Sequence, residues 1–317
     1  MIDEFKSPIQ KSKINYEDNQ LYFLREDLIP FSFGGNKVRI AEKFIVDMKK
    51  QGKDCIVAYG NSRSNLCRVL SNMCCAGNIP CFVISPFDED GTSVITNNKR
   101  MVNLFGAEII ECEKENVTDT VQKTLNMCVD KGYAPYYIYG NEYGTGNEAI
   151  PVEAYVKVIK HIKEYEEQWK KEFDYIFHAS STGMTQAGLI SGSLIHKMTN
   201  KIIGISTARV KEQEIDVLNK YINEYMKSLG KEAKNYYEKI FFEDSWICGG
   251  YGKYNNSILT VIKEVLKKDG INLDPTYTGK AFWGMLEYLK RENIRKKNIL
   301  FIHTGGAPLF FDCLEQL

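Results

Sequence analysis

The chain has 317 residues, of which 41 are basic and 41 acidic, and 44% are hydrophobic. This length suits two domains or one large α/β unit with a sizeable core, and the zero net charge gives no support for nucleic-acid or membrane-surface binding. No run of about 18 apolar residues is present, and the first residues lack the apolar segment of a signal peptide. The sequence therefore predicts a cytoplasmic location, with no nucleic-acid and no membrane partner.

Nine cysteines are scattered along the chain without any Cys-x-x-Cys pair. An odd count without paired spacing predicts reduced thiols that pack as small hydrophobic side chains, not a disulfide framework. The four histidines show no metal-ligand spacing. We therefore expect no metal site.

Short apolar runs alternate with longer amphipathic runs, which is the signature of βαβ units. Predicted strands cover residues 55–59, 81–85, 108–111, 175–179, 202–207 and 298–303. Predicted helices cover residues 97–105, 117–131, 185–198 and 210–229, and a further helix ends near residue 75. The pattern predicts an α/β fold with two open, twisted, mostly parallel sheets flanked by helices. It restarts after the aromatic run 136–139, so we expect a small α/β domain at 52–146 and a large domain formed by 1–51 plus 147–317.

Lys37 lies in the run FGGNKVR, residues 33–39. Gly34 and Gly35 let the backbone bend tightly and approach a ligand closely. A lysine beside such a bend can be held next to a planar ligand, desolvated and used as an amine nucleophile. The most familiar case is the Schiff-base lysine of pyridoxal phosphate (PLP). The alternative is an ordinary loop lysine that precedes a helix.

Three loops that directly follow predicted strands are rich in glycine and in hydroxylated residues. The first, GNSRSN at 60–65, puts Ser64 and Asn65 in a first helical turn, where free N–H groups bind a carboxylate; an ordinary helix cap is the alternative. The second, SSTGMT at 180–185, opens a helix and matches neither the Walker pattern nor GxGxxG. It therefore suits a single small phosphate. The third, HTGG at 303–306, offers a neutral threonine hydroxyl beside two glycines, or is a simple strand-end turn.

Two of the 19 tyrosines have neighbours that suit a site. Tyr251 lies in GGYG, where the glycines keep bulk away from its phenol. Tyr277 lies in DPTYTGK, a turn that leads into a helix. The alternative for each is core or surface packing, which is usual for a tyrosine.

Taken in order, these motifs resemble the fold-type II PLP enzymes, and more narrowly the family of D-cysteine desulfhydrase and 1-aminocyclopropane-1-carboxylate (ACC) deaminase. The resemblance covers nearly the whole chain. It rests on REDL (25–28), GGNKVR (34–39), SN (64–65), TGMTQAG (182–188), LDPTYTGKA (273–281) and HTGG (303–306). It implies a tryptophan synthase β-like fold, PLP as the cofactor bound by the large domain, a small amino-acid substrate and a homodimer.

The resemblance also implies site residues. Cofactor binding falls to Lys37, Asn65, Ser181, Thr182, Gly183, Met184, Thr185 and Thr304. Substrate binding falls to Ser64, Asn65, Leu66 and Thr278, and catalysis to Lys37, Ser64, Tyr251 and Tyr277. Lys37 is expected to form the Schiff base and to move the Cα proton. Asn65 is expected to hydrogen-bond the 3′ oxygen of PLP, and Thr304 to face its pyridine nitrogen.

The implied reaction is loss of the Cα proton followed by loss of a leaving group from Cβ. It yields a keto acid, ammonia and, for cysteine, sulfide. PLP acts as the electron sink, while the protein supplies position and proton transfer. A lysine amine in a desolvated pocket has a lowered pKa and can act as the base.

Several positions depart from the family pattern. ACC deaminases carry an acidic residue after the tyrosine equivalent to Tyr277, where this chain has Thr278. This favours β-elimination from a D-cysteine-like amino acid over ring opening of ACC. Arg63 and Leu66 replace a glutamine and a histidine around the Ser-Asn pair, and Ile40 replaces a lysine. Arg63 either reads an anionic group of the substrate or points to solvent.

These departures leave other functions open. The first is PLP-dependent β-replacement, racemisation or another biosynthetic step on an unusual amino acid. ACC deaminase activity and a non-catalytic PLP-binding homologue are further alternatives. Retention of Lys37, Ser64, Tyr251 and Tyr277 argues against the non-catalytic homologue.

Overall fold

The structure, a computed structural model, describes residues 2–88 and 93–317. The strands in these residues are β1 (Ile9–Tyr16), β2 (Asn19–Arg25), β3 (Cys55–Tyr59), β4 (Cys81–Pro86), β5 (Glu108–Cys112), β6 (Pro135–Tyr137), β7 (Tyr175–Ser180), β8 (Lys201–Ser206), β9 (Phe241–Glu243) and β10 (Asn298–His303). The α-helices are α1 (Asn36–Lys50), α2 (Asn65–Ala76), α3 (Asn97–Leu104), α4 (Val117–Asp130), α5 (Ala149–Trp169), α6 (Met184–His196), α7 (Lys211–Ser228), α8 (Asn256–Asp269), α9 (Thr278–Arg291) and α10 (Ala307–Asp312).

The larger of two units combines the residues up to Asn36 with Pro151–Leu317. Its sheet has the order β1-β2-β10-β7-β8-β9, and every pair is parallel except the β1–β2 hairpin. Strands β7, β8 and β10 are buried along almost their whole length, as expected when helices cover both faces of a parallel sheet. Because β7 and β10 are parallel neighbours, the loops after them, 181–183 and 304–306, leave the sheet at the same edge.

The core of the larger unit is aromatic where β2, β10 and α9 meet. Phe23 stacks on Phe282 with ring centroids 5.2 Å apart, and Phe301 meets Phe282 edge-on at 5.1 Å. All three side chains are buried. Burial of each contributes roughly 1.5–3 kcal/mol, so the cluster holds α9 firmly against the sheet.

The smaller unit comprises Lys37–Ile150 and contains the parallel sheet β5-β4-β3-β6. Helix α1 belongs to this unit from Lys37 onward. Phe44 of α1 contacts Tyr136 of β6 at a centroid distance of 6.5 Å, and the Tyr136 hydroxyl donates to Asp47 Oδ2 at 2.7 Å. The predicted limits, 1–51 plus 147–317 and 52–146, instead place α1 in the large domain. The contacts with Tyr136 account for the difference.

The predicted α/β architecture is confirmed. Strands β3 and β10 have the predicted bounds, and the other predicted elements end within two residues of the observed ones. The prediction omits the β1–β2 hairpin; the lysines and polar residues of β1 resemble a loop, whereas the apolar run of β2 does not. The nine cysteines are all free, and none of the helices in the described part of the chain is long and apolar enough to cross a membrane.

Candidate active site

Asn36 joins two loops of the larger unit. Its backbone N–H donates to the Thr304 carbonyl at 3.1 Å, and its side-chain Nδ2 donates to Thr185 Oγ1 at 2.9 Å. Asn36 is buried and immediately precedes Lys37. The segment before Lys37, the loop after β7 and the loop after β10 therefore share one hydrogen-bonded junction.

Glycines let backbone pack against backbone at this junction. A Cβ atom on Gly305 would lie 2.6 Å from Gly35 Cα, and a Cβ atom on Gly35 would lie 2.8 Å from the Thr304 oxygen. Both glycines have positive φ angles, +94° and +98°. A side chain at either position would strain the backbone and collide with the backbone of the facing loop. This close approach explains the glycines of both motifs.

Helix α6 begins with an uncapped N-terminus. Its N-cap is Gly183, which has a left-handed φ of 76° and leaves the helix without a side-chain cap. Ser181 and Thr182 place half-buried hydroxyls just before it, and Met184 and Thr185 form a buried first turn. Free N–H groups at the positive end of a helix, next to two hydroxyls, suit a phosphate group.

His303 orients the loop after β10. Its Nε2 lies 2.9 Å from the Asn272 carbonyl oxygen, and its Nδ1 accepts the Gly305 N–H at 3.2 Å. This pattern assigns the proton to Nε2 and a neutral ring to His303. Burial lowers the pKa of His303, although the Asp27 carboxylate at 3.9 Å opposes the shift. A neutral ring that accepts from Gly305 holds the turn after Thr304.

Asp274 organises the turn that carries Tyr277. Its carboxylate accepts the N–H groups of Thr276, Tyr277 and Thr278 at 3.0, 2.8 and 3.0 Å. Burial raises the pKa of Asp274, and these hydrogen bonds oppose the rise. The Thr278 hydroxyl donates to Asp274 Oδ1 at 2.7 Å and accepts the Asp274 N–H at 2.8 Å. The predicted substrate residue Thr278 is therefore buried, and its hydroxyl serves the turn.

Tyr251 and Tyr277, which the sequence marks separately, come together in the larger unit. Their hydroxyl groups hydrogen-bond to each other, and their rings lie edge to face with centroids 5.8 Å apart. Both side chains are half-buried. Two linked hydroxyls of this kind can pass a proton from one group to another.

Lys280 holds the loop that carries Tyr251. It is buried on α9, and its Nζ donates to the carbonyl oxygens of Ile247 and Gly250 at 2.8 Å each and of Thr207 at 3.2 Å. Burial lowers the pKa of Lys280 to about 8, although the nearby Cys248 and Asp274 oppose the shift. The glycine-rich segment before Tyr251 is thus anchored to the helix that follows Tyr277.

Lys37 is the second residue of α1 and is half-buried. Burial lowers the pKa of Lys37 to about 8, so a neutral amine forms closer to neutral pH than in an ordinary lysine. A nucleophile or a general base needs that neutral form. Ile40, which stands where the family often has a second lysine, is fully buried.

In the smaller unit, the loop before α2 presents Ser64 and Asn65. Ser64 is the N-cap, and its Oγ accepts the Cys67 N–H at 3.1 Å. Asn65 Oδ1 accepts from Asn98 Nδ2 at 3.0 Å. Leu66 is buried in the first turn. This end of α2 therefore carries both predicted polar residues, and Leu66 faces the interior.

Arg63 is paired with a carboxylate. Its Nη1 lies 2.8 and 2.9 Å from the two carboxylate oxygens of Asp88, and Asn61 Nδ2 donates to Asp88 Oδ1 at 3.1 Å. The Arg63 and Asp88 side chains are 18% and 19% exposed. Arg63 therefore does not simply point to solvent, because Asp88 neutralises its charge.

Four residues of this arrangement carry no role in the sequence prediction, namely Asn36, Asn98, Asp274 and Lys280. Asn36, Asp274 and Lys280 lie inside the motifs of the family resemblance, which is the available signal for them. Asn98 lies outside every motif, and an asparagine at the start of a helix resembles an ordinary polar surface residue.

The uncapped α6 N-terminus, the glycine junction and the half-buried Lys37 fit PLP, which needs a phosphate cradle, close backbone approach and a reactive amine. In the described ranges, 2–88 and 93–317, no cluster of three or more His, Cys, Asp or Glu side chains is placed to hold a metal ion.

Similarity to known proteins supports this fit. The family model described as pyridoxal-phosphate dependent enzyme matches residues 3–305, a span that includes every candidate site residue. The D-cysteine desulfhydrase of Serratia proteamaculans is 29% identical over 315 residues, which cover 96% of this chain and 92% of that protein. The D-cysteine desulfhydrase of Yersinia pestis is 29% identical over 312 residues, with the same coverage. The crystal structure of an ACC deaminase homologue has a TM-score of 0.84 at 26% identity and covers 100% of this chain and 94% of its own.

Proposed function

Since the chain belongs to the family of pyridoxal-phosphate dependent enzymes, we propose that it is a lyase that acts on a small amino acid such as D-cysteine. The overall reaction converts D-cysteine and water into pyruvate, ammonia and hydrogen sulfide. The observation that carries the proposal is Lys37, a half-buried amine with a lowered pKa that directly follows the glycine junction. The two desulfhydrases at 29% identity support the choice of substrate.

Bound PLP supplies an aldehyde for an amine and a ring that accepts electrons from the substrate Cα. The residues proposed to hold it are Lys37, Asn65, Ser181, Thr182, Gly183, Met184, Thr185 and Thr304. The uncapped first turn of α6 would take the phosphate, the Asn65 amide would donate to the 3′ oxygen, and the Thr304 hydroxyl would serve the pyridine nitrogen.

The remaining polar residues act on the substrate. Ser64 and the first N–H groups of α2 hold the substrate carboxylate beside Asn65 and Leu66. Lys37 in its neutral form removes the Cα proton. The hydrogen-bonded Tyr251 and Tyr277 hydroxyls deliver a proton to the departing sulfur, which then leaves as hydrogen sulfide.

The turn at Asp274 supports elimination over ACC ring opening. The residue after Tyr277 is Thr278, whose hydroxyl already donates to one Asp274 group and accepts from another. It therefore contributes by fixing Tyr277, and it supplies no acid or base of its own. With PLP as the electron sink, elimination would need from the protein only Lys37 as the base and the tyrosine pair as the proton donor to the leaving group.

A homodimer in the cytoplasm is part of the same proposal. Nine free cysteines suit a reducing compartment. In the smaller unit, Ile95 and Leu104 are 67% and 78% exposed, and a dimer contact at either side chain would remove apolar surface from water. Sedimentation of the PLP-loaded protein measures the oligomeric state.

The test is a screen of D- and L-amino acids and ACC with the purified, PLP-loaded protein. Keto acid, ammonia and sulfide are quantified together, and chiral chromatography follows the enantiomers. D-cysteine is expected to yield the three products in equal amounts, and Lys37→Ala is expected to lose both the visible absorption band and the activity.

Each competing function has its own signature in this screen. Racemisation interconverts enantiomers without keto acid, and β-replacement yields a new amino acid only when a second nucleophile is added. A PLP-loaded protein that releases no keto acid from D-cysteine, yet shows one of these signatures, contradicts the lyase assignment.

A further inference from the structure

Asn98 links two groups of the loop that carries Ser64 and Asn65. It is the second residue of α3 in the smaller unit, and its side chain is fully buried. Its Nδ2 donates to the Arg63 carbonyl oxygen at 3.0 Å and to Asn65 Oδ1 at 3.0 Å. One amide group of Asn98 therefore uses its two hydrogens on adjacent residues of the loop.

These two contacts fix which way the Asn65 amide faces. A backbone carbonyl only accepts hydrogen bonds, so the Asn98 atom next to the Arg63 carbonyl must be the NH2 nitrogen. The same nitrogen meets the Asn65 side chain, which must therefore offer its oxygen. The NH2 group of Asn65 therefore points away from Asn98 and presents two hydrogen-bond donors.

Helix α3 is firmly attached to the same loop. Thr96, the N-cap of α3, accepts the Lys99 N–H at 3.2 Å and donates its hydroxyl to the Ser62 carbonyl oxygen. Side chains from α3 thus hold the successive carbonyls of Ser62 and Arg63. These contacts hold the first turn of α3, which carries Asn98, against the loop.

The side-chain oxygen of Asn98 has an unusual environment. Its Oδ1 is buried and has no hydrogen-bond partner among residues 2–88 and 93–317. Such an unsatisfied polar atom is rare in a folded protein, and an apolar residue of similar size would avoid it. The polar contribution of Asn98 therefore lies in the two hydrogen bonds that its NH2 group donates.

We propose, on the basis of the proposed function, that Asn98 is a positioning residue that locks the Asn65 amide with its NH2 group toward the 3′ oxygen of PLP. A donor there stabilises the anionic form of that oxygen. Without Asn98, the Asn65 amide can turn over and present its own oxygen, which repels an anion. Asn98 thus acts on the cofactor only through Asn65.

The test replaces the donor with an acceptor of the same shape. Asn98→Asp cannot donate to Asn65 and instead attracts its NH2 group. The pH at which the visible absorption of the bound cofactor changes, measured at saturating PLP, is expected to rise by about one unit, because the 3′ oxygen becomes more basic when it loses a donor. The dissociation constant for PLP is expected to rise on the order of tenfold.

Three further variants complete the test. Asn98→Ser, which is neutral and short, is expected to shift the midpoint in the same direction by less, and it replaces Asn98→Asp if that variant does not fold. Asn103→Asp makes the same chemical change at an exposed position of the same helix and is expected to leave the midpoint unchanged. In an Asn65→Ala background, Asn98→Asp is expected to have no additional effect.

An unchanged midpoint in both Asn98 variants, or a shift that persists in Asn65→Ala, overturns the inference and leaves the proposed lyase function intact. A purely structural role would lower the unfolding midpoint and the PLP occupancy without moving the pH midpoint at saturation. If the wild-type protein takes up no PLP, the proposed function itself fails.

Discussion

Two glycine-containing loops of this protein carry proposed site residues, and different interactions hold them. In the larger unit, the loop after β10 is held by backbone contact. Gly305 packs directly against Gly35, and the Gly305 N–H donates to the ring of His303. The close approach of the two glycines depends on the absence of side-chain atoms at both positions, and the His303 ring adds one hydrogen bond to the turn.

In the smaller unit, the loop before α2 is held by side chains from other elements. Asn98 donates to the Arg63 carbonyl from 35 residues away, and Asp88 pairs with the Arg63 side chain from 25 residues away. The contact to the Arg63 backbone carbonyl does not depend on the side chain at that position, whereas the Asp88 contact does. We therefore expect substitutions that add volume to perturb the loop after β10, and substitutions that change polar groups to perturb the loop before α2.

Adding one methyl group to the loop after β10 is expected to have the largest effect on stability. In Gly305→Ala the new Cβ would lie 2.6 Å from Gly35 Cα, at a backbone φ of +94°. Backbone strain and overpacking together are expected to lower the free energy of unfolding on the order of 2–6 kcal/mol. PLP uptake should fall with it, because Thr304 and Asn36 lose their hydrogen bond. Urea unfolding and absorption of the dialysed protein measure both effects.

Gly230→Ala is the matched control. Gly230 also has a positive φ, +72°, but no atom of the described residues lies within 4 Å of the position that its Cβ atom would occupy. Only backbone strain remains, about 1–2 kcal/mol, and PLP uptake should be normal. Equal losses in the two variants would show that the close contact between Gly35 and Gly305 does not matter.

The same contrast explains what the sequence reveals. Close backbone approach demands glycine, so the junction around Lys37 and Thr304 is visible as a local motif, and the parallel sheets follow from apolar runs. Lys280 and Asn98 act through carbonyls and amides that are far away in sequence. A buried lysine on an amphipathic helix has no local pattern that distinguishes it from a solvated one, so its partners become visible only in the structure.

Lys280 offers a test within the larger unit that depends on polar groups. Lys280→Met removes the donor shared by the carbonyls of Thr207, Ile247 and Gly250, so the loop before Tyr251 loses its anchor. We expect kcat to fall on the order of 10–100-fold, because misplacement of the Tyr251 hydroxyl slows proton transfer. Steady-state kinetics with D-cysteine measure this loss.

The pH dependence of stability provides a second readout for Lys280. The folded lysine loses its proton near pH 8, while the unfolded lysine keeps it to about 10.5. The unfolded state therefore binds more protons in this window, and wild-type stability is expected to rise as the pH increases from 8 to 10.5, by about 1–3 kcal/mol from this group. Lys280→Met should lack that part of the rise, and the contribution of Lys37 cancels in the difference.

Lys290→Met, at an exposed position of α9, is the control and should behave like the wild type. Parallel pH profiles for Lys280→Met and the wild type would refute the lowered pKa of Lys280.

The smallest expected effect concerns substrate choice at the loop before α2. Asp88→Asn removes the carboxylate that neutralises Arg63, next to the proposed carboxylate-binding Ser64. The guanidinium then favours substrates with an anionic side chain, so kcat/KM for O-phospho-D-serine relative to D-cysteine should rise about 3- to 10-fold, as expected for a partly exposed charge pair worth about 1 kcal/mol. High salt should weaken the change.

Asp130→Asn makes the same charge change at an exposed position of α4 and should leave the ratio unaltered. An equal rise in both variants would mean that net charge alone, and not the release of Arg63, sets the preference.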